Sequence, residues 1–473
     1  MDDPAPASLR GAGRAEPALD APLFVTGSTL RHVLAMTGAG SVGLIAIFVV
    51  DLLSLLYISW LGEPHLTAGV GLATIVLFFT TSINVGLMIA VGALVSRALG
   101  AREVGRARRI ATSSCLHMAL AAALVSGIVL PLLPGLLRVL GAGADTLPVA
   151  LSFLWITLPS NVLMALGMGF SGVLRAAGDA RRSMVVTLSG GVVTAGLDPL
   201  FIFGLGLGPD GAACAIVIAR VIFVLVGYRA VAKVHGLIAR PSLADLVADA
   251  APTYAIAVPA VLTNVAVPLA NGVFAGILAR FGDQAIAATA IIDRVVPVAF
   301  GGIFALSGAV GPILGQNWGA GRFDRMRRVL KDSCLVMGLY VLGVWIVLVL
   351  VREPLTLMFH AEGLTAELVR FFCLVSGPMW FFIGLIFVAN ASFNNLGFPL
   401  LSTGFNWARA TLGIVPFAFL GASLGGARGA LAGLALGSAP FGIAAIVAAF
   451  WTVRRLDRQA GDGGPSPLPA RRG

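Results

Sequence analysis

Twelve apolar stretches follow one another along the chain. They lie at about residues 33–60, 67–95, 110–134, 147–173, 182–206, 211–233, 253–280, 285–313, 330–351, 367–392, 399–421 and 428–454. A helix needs about 20 predominantly apolar residues to cross a bilayer. In lipid the backbone finds no water, so each crossing must satisfy its own hydrogen bonds, as a helix does. The reading is an all-α polytopic membrane protein with twelve transmembrane helices. Composition agrees: 58% of residues are hydrophobic and 11% charged, against about 25% charged in soluble domains. Several stretches exceed the bilayer thickness, so tilts and kinks are expected. Pro159, Pro259, Pro268, Pro297 and Pro378 are candidate kinks.

The net charge of +10 does not mark a nucleic-acid binder, because the basic residues sit in short loops between apolar stretches. Of 32 Lys and Arg, 25 fall on one side of the alternating topology and four (Arg138, Arg280, Arg352, Arg428) on the other. Arg220, Arg294 and Arg370 lie within the stretches. Positive charge concentrates on the cytoplasmic side, so both termini are expected in the cytoplasm, with the chain in the inner (plasma) membrane. Cys115, Cys214, Cys334 and Cys373 are scattered and show neither a disulfide framework nor metal-ligand spacing. The organisation expected is a disordered tail (1–30), a first lobe (31–236), a linker (237–252), a second lobe (253–455) and a second disordered tail (456–473).

The chain repeats itself. Gly100–Arg109 matches Gly319–Arg328, and Leu61, Gly62 and Glu63 match Phe281, Gly282 and Asp283. Arg175–Gly178 falls opposite Asn394–Gly397. Six crossings return the chain to its starting side, so the halves share one orientation. Such parallel repeats give two pseudo-symmetric six-helix lobes about an axis along the membrane normal, with a cleft between them.

Within this frame the costly residues are informative. Asp51 and Asp198 each lie inside an apolar stretch, where a carboxylate costs roughly 2.5–3.5 kcal/mol on insertion scales. The counterpart of Asp51 in the second half is Asn271, so both acids belong to the first lobe. Helices 1 and 5 must pack side by side to bring them together. A carboxylate there can load and release a proton, or hold Na⁺; the bland alternative is that both acids satisfy backbone groups at bends. Asn161, Arg220, Asn264, Asn271, Asp293 and Arg294 are candidate cleft residues. For the asparagines interhelical hydrogen bonding is the simpler role, and for Asp293 and Arg294 a structural ion pair competes with it. Arg220 is expected to line the cleft or to brace Asp198. There is no phosphate loop, no His-Glu-x-x-His and no nucleophile elbow. The energy source expected is therefore an ion gradient, with no cofactor beyond the coupling ion.

Gly315, Gln316, Asn317, Trp318, Gly319, Ala320 and Gly321 form a run that resembles the signature of multidrug and toxic compound extrusion (MATE) transporters. Three further pieces agree: Asp51 followed by Trp60, Leu61 and Gly62; Arg175–Asp179; and Leu197–Gly204 followed by Gly211, Ala212 and Ala213. The resemblance covers about residues 30–455. It implies a V-shaped pair of lobes, alternating access, and export of small organic compounds, often cationic or amphipathic, in exchange for H⁺ or Na⁺, by a monomer in the lipid bilayer. It carries the first-lobe cation site onto Asp51 and Asp198. Where the family commonly has Asn and Thr in that site, this chain has Thr194 and Ile216. Losing ligand oxygens disfavours Na⁺, which needs several, so H⁺ coupling is expected. A lipid-linked saccharide flippase of the same superfamily is the alternative, though few cations stand at mid-span to hold a diphosphate. A membrane-integral enzyme is a remoter alternative, and no surface constellation of His, Asp and Glu supports it.

Overall fold

The structure, a computed structural model, describes residues 22–461. Every predicted stretch becomes a membrane helix: α1 Thr29–Ser59, α2 Pro64–Gly100, α3 Val104–Val139, α4 Thr146–Thr157 continued by Asn161–Ala176, α5 Ala180–Gly204, α6 Gly208–Val234, α7 Leu243–Ala279, α8 Asp283–Gly319, α9 Phe323–Met358 and α10 Gly363–Asn395. The final helical run, Pro399–Gly461, leaves helical geometry at Gly425 and Gly426 and so divides into α11 (399–424) and α12 (427–461). The two parts of α4 meet at 53° across the segment that contains Pro159. Pro378 sits in a tight turn within α10, whereas Pro259, Pro268 and Pro297 lie within continuous helices.

Twelve crossings leave both described ends of the chain on one side, called here the terminal side. The repeat is visible in the turns. Gly62 and Gly282 both adopt positive φ (77° and 91°), as do Gly178 and Gly397 (88° and 85°). L side chains resist that conformation, so the duplicated motifs preserve the glycine where each helix reverses.

The lobes meet along α1–α8, α2–α7 and α2–α8. Their closest approach, on the terminal side, is pseudo-symmetric. A Cβ on Gly100 would collide with the Gln316 carbonyl, and one on Gly319 with the Arg97 carbonyl. Gly319 follows Gly100 by 219 positions, as Gln316 follows Arg97. The polar bonds obey the same rule. Arg97 crosses the seam to donate to the carbonyls of Asn395 (2.8 Å) and Asn394 (3.1 Å), at the end of α10. Gln316 crosses the other way to the Ala176 carbonyl (2.7 Å), at the end of α4, and Asn395 again follows Ala176 by 219. Each donor satisfies carbonyls that a helix C-terminus leaves without intrahelical partners. Arg97 also lies over the Trp318 ring at 4.4 Å.

Away from the seam the lobes part. From Phe300 to Trp318, α8 is buried almost continuously. In its other half it exposes Ile286, Asp293, Arg294 and Val298. Opposite, α1 exposes Val49, Asp51, Leu52 and Leu56 in its far half.

Several expectations need correction. Residues 1–21 of the first predicted tail and 462–473 of the second lie outside the described residues. Residues 22–28, however, are ordered and docked across the seam. The Phe24 amide donates to Gln316 Oε1 (3.0 Å), its carbonyl accepts from Arg325 (2.8 Å) and Asn317 (3.2 Å), and its ring is buried. At the other end, α12 continues to Gly461. The predicted linker 237–252 is shortened because α7 begins at Leu243. Asp249 lies on that helix and accepts from Arg109 (3.1 Å) and Ser113 (2.6 Å) of α3. Arg409 lies ten residues beyond the start of α11 and is buried beside Ser438.

Candidate functional site

The two acids singled out by the sequence lie where α1 and α5 pack side by side. The two helices run in the same direction. The contact runs through Gly43 and Gly191: a Cβ on Gly43 would meet Thr187 at 3.5 Å, and one on Gly191 would meet Val50 at 3.5 Å, both ordinary packing distances. Following the same contact toward the far side, Ser54 of α1 donates its hydroxyl to Asp198 Oδ2 of α5. Asp198 is fully buried, and its Oδ1 has no hydrogen-bond partner among the described residues. Asp51 precedes Ser54 by three residues, which puts both on one face of α1, about 60° apart. The helix contact therefore brings the two predicted acids to one locus, with Ser54 between them.

Their surroundings differ. Asp198 sits inside the helix contact, while Asp51 is exposed. The two acids expected to share one hollow are thus differently placed: Asp198 is buried in the helix contact, and Asp51 is exposed on the face of α1 that turns toward α8. Thr194 is one turn before Asp198 on α5, but its hydroxyl bonds to the Gly190 carbonyl (3.1 Å). Directly after Asp198, Pro199 removes a backbone donor, and Leu200–Gly204 widens into a π-helical turn. A small cavity of about 60 Å³ lies nearer the terminal side between α1, α5 and α8, lined by Gly40, Gly43, Thr187 and Ala305 among others; neither acid borders it.

The remaining predicted residues do not join this locus. Arg220 was expected to line the cleft or brace Asp198. Instead it donates to the Thr157 carbonyl (2.7 Å) and Ser160 hydroxyl (2.8 Å), bracing the bend in α4. That bend frees backbone carbonyls, and a buried guanidinium needs acceptors, so each satisfies the other. Asn161 is buried and accepts from Asn84 of α2 (2.9 Å), an interhelical bond within the first lobe. Asn264 of α7 is half-buried, with its amide nitrogen unpaired among the described residues. Asn271 is exposed on α7, and Asp293 and Arg294 are exposed on α8. The structural ion pair expected for the last two is not formed among the described residues.

Sequence reasoning missed Ser54, whose only signal was its spacing of three from Asp51. It also missed Asn84, which carried none. Beyond the membrane layer, Asp179 caps α5 through the Arg182 amide (2.9 Å) and receives His235 Nε2 at 2.8 Å. Burial works to raise its carboxyl, but the bonds from His235 and Arg182 outweigh that and hold it well below the usual carboxylate range.

The MatE family profile matches residues 41–200 and 259–420. A FAD transporter of Shewanella oneidensis is 27% identical over 421 residues, 88% of this chain and 93% of that protein. The multidrug export protein MepA of Staphylococcus aureus is 24% identical over 338 residues, 70% of this chain and 73% of its own. A crystal structure of a mutant of the Vibrio cholerae MATE transporter VcmN superposes with a TM-score of 0.87 at 24% identity, covering 91% of this chain and 99% of that one.

Proposed function

The chain belongs to the MatE family of membrane transporters, and on that premise we propose that it is a secondary active antiporter exporting small organic compounds in exchange for H⁺. It works as a monomer in the inner membrane, with its terminal side in the cytoplasm. The observation that carries this reading is Asp198: a carboxyl group buried inside an apolar helix contact, one oxygen held by Ser54 and the other without a partner among the described residues, beside an accessible Asp51. Buried intramembrane acids are expensive and mark ion pathways. A proton needs a single carboxylate oxygen, whereas Na⁺ needs several ligands. The Thr194 hydroxyl is already engaged with its own helix, and Ile216 offers none. Both facts favour H⁺.

The energetics suffice. One charge crossing 100 mV releases about 2.3 kcal/mol, and a tenfold substrate gradient requires about 1.4 kcal/mol. The substrates proposed are organic, often cationic or amphipathic. Because one relative is named a FAD transporter, flavin dinucleotide belongs in the test panel beside cationic dyes. The test is efflux from proteoliposomes with pH and Na⁺ gradients imposed separately. A pH gradient alone is expected to drive export, and Asp198→Asn to abolish that drive without loss of protein. Export driven only by Na⁺, or unchanged in the variant, would overturn the assignment.

A further inference from the structure

The interlobe contact of α1 with α8 has a register that can be followed outward. Gly40 faces Ala305, where an added Cβ would stand 3.3 Å from the Ala305 Cβ. Further along, a Cβ added to Gly301 would stand 3.8 Å from Ile45 and 3.9 Å from Phe48. The helices run antiparallel, so a step forward on α1 and a step back on α8 both lead to the far side. Eleven residues make three turns with about 20° to spare and a rise of about 16 Å. Eleven residues beyond Gly40 is Asp51. Eleven residues before Ala305 is Arg294. An acid of the first lobe and a base of the second therefore stand at one depth, each on the face that packs against the other helix lower down.

Both side chains are exposed, and neither has an ion-pair partner among the described residues. Val298, one turn from Arg294 on the same face, is 44% exposed, while Gly301, which faces Ile45 and Phe48 of α1, is buried. The helices thus part between these levels, and the two charges look across the gap. We propose that Asp51 and Arg294 form an ion pair across the cleft when its far end closes, making Arg294 the second-lobe residue that responds to the charge on Asp51. The proposal rests on Asp51 being a coupling acid. An ionised Asp51 attracts Arg294 and favours the closed far end; a protonated Asp51 does not.

The other charges that bear on Asp51 are few. From α5 there is Asp198, and from α8 Asp293, which precedes Arg294 and points about 100° around the helix. Arg220 of α6 is committed to the bend in α4, and Asp210 lies in the first turn of α6, at the far end. Asp332 of α9 lies at the terminal end, bonded to Thr29. At the start of α2, Glu63, just before the helix, lies 3.5 Å from His65 of its first turn.

The test places nitroxide labels one turn further out on the same faces, at Leu55→Cys and Ala290→Cys. The full-length protein, with its four native cysteines replaced, is reconstituted in liposomes. In the parent, raising the pH from 5 to 8 is expected to increase the short-distance population several-fold. Arg294→Gln is expected to remove that pH response, and Arg294→Lys to retain most of it. A parent whose distances ignore pH overturns the proposal, as does an Arg294→Gln protein that responds like the parent. Efflux by Asp51→Asn separates the two levels of inference. If that variant keeps pH-driven export, the coupling assignment itself fails. If it loses export while Arg294→Gln still responds to pH, only the ion pair fails.

Discussion

Replacing Arg97 with Ala should unlock the terminal side. The guanidinium makes two charge-assisted hydrogen bonds across the seam, at 2.8 and 3.1 Å, worth ~1.5–3 kcal/mol each. It also lies over Trp318 at 4.4 Å, a contact worth ~0.5–2 kcal/mol. Against this stands the cost of keeping a cation out of water, which truncation relieves. The net loss should be about 2–4 kcal/mol, since two helix-end carbonyls also lose their donor. All of these contacts cross between lobes, so they exist only while the seam is shut. The loss therefore falls on the balance between closed and open, which should shift by roughly 30- to 700-fold toward open. Nitroxide labels at Ala101→Cys and Ala320→Cys, which border the same surface hollow at the seam, would report it as a new long-distance population in liposomes. Arg97→Lys keeps the charge but loses the planar fork and should fall between. An Arg97→Ala protein that elutes intact and shows the parent's distances would refute the reasoning.

Three further outcomes can be checked. Gly100→Val drives a side chain into the Gln316 carbonyl, and Gly319→Val does the same at Arg97, so both should lower the thermal midpoint or open the same label pair, while Gly105→Val, with free space around it, should do neither. Phe24→Ala empties a buried ring site and should destabilise by ~3 kcal/mol, read as a lower midpoint in a thermal scan of purified protein. Asp179, held below its ordinary value by His235 and Arg182, contributes stability that is present above the unfolded value of about 3.9. That stability is lost as pH falls through the folded value. Asp179→Asn should therefore cost ~1 kcal/mol at neutral pH and flatten the decline in midpoint below about pH 4.

The helices were legible because lipid leaves the backbone one solution, and apolar runs announce it. Their ends were less so. α2 reaches Gly100 and α8 reaches Gly319, past the expected limits at 95 and 313, because the lobes bury Arg97 and Gln316 against each other. For the same reason Arg97 and Gln316 read as loop residues. Burial between lobes is a tertiary fact, and no local pattern marks it. The pairing of Asp198 with the first helix was anticipated from two isolated acids. Ser54 was not, since a lone serine in an apolar run is ordinary. Arg220 was misread because the bend it braces, at Thr157 and Ser160, becomes an acceptor site only once α4 is broken.

The seam follows the rule of a two-fold dimer, in which patch i meets j and j meets i. Here that reciprocity is folded into one polypeptide: Gly100 on Gln316 and Gly319 on Arg97, Arg97 to Asn395 and Gln316 to Ala176. The peptide joining the halves, residues 235–242, supplies none of these partners. Severing it leaves each fragment with a complete mating surface for the other. Two co-expressed fragments therefore carry the instructions for finding one another, and the covalent joint serves to hold their number at one of each.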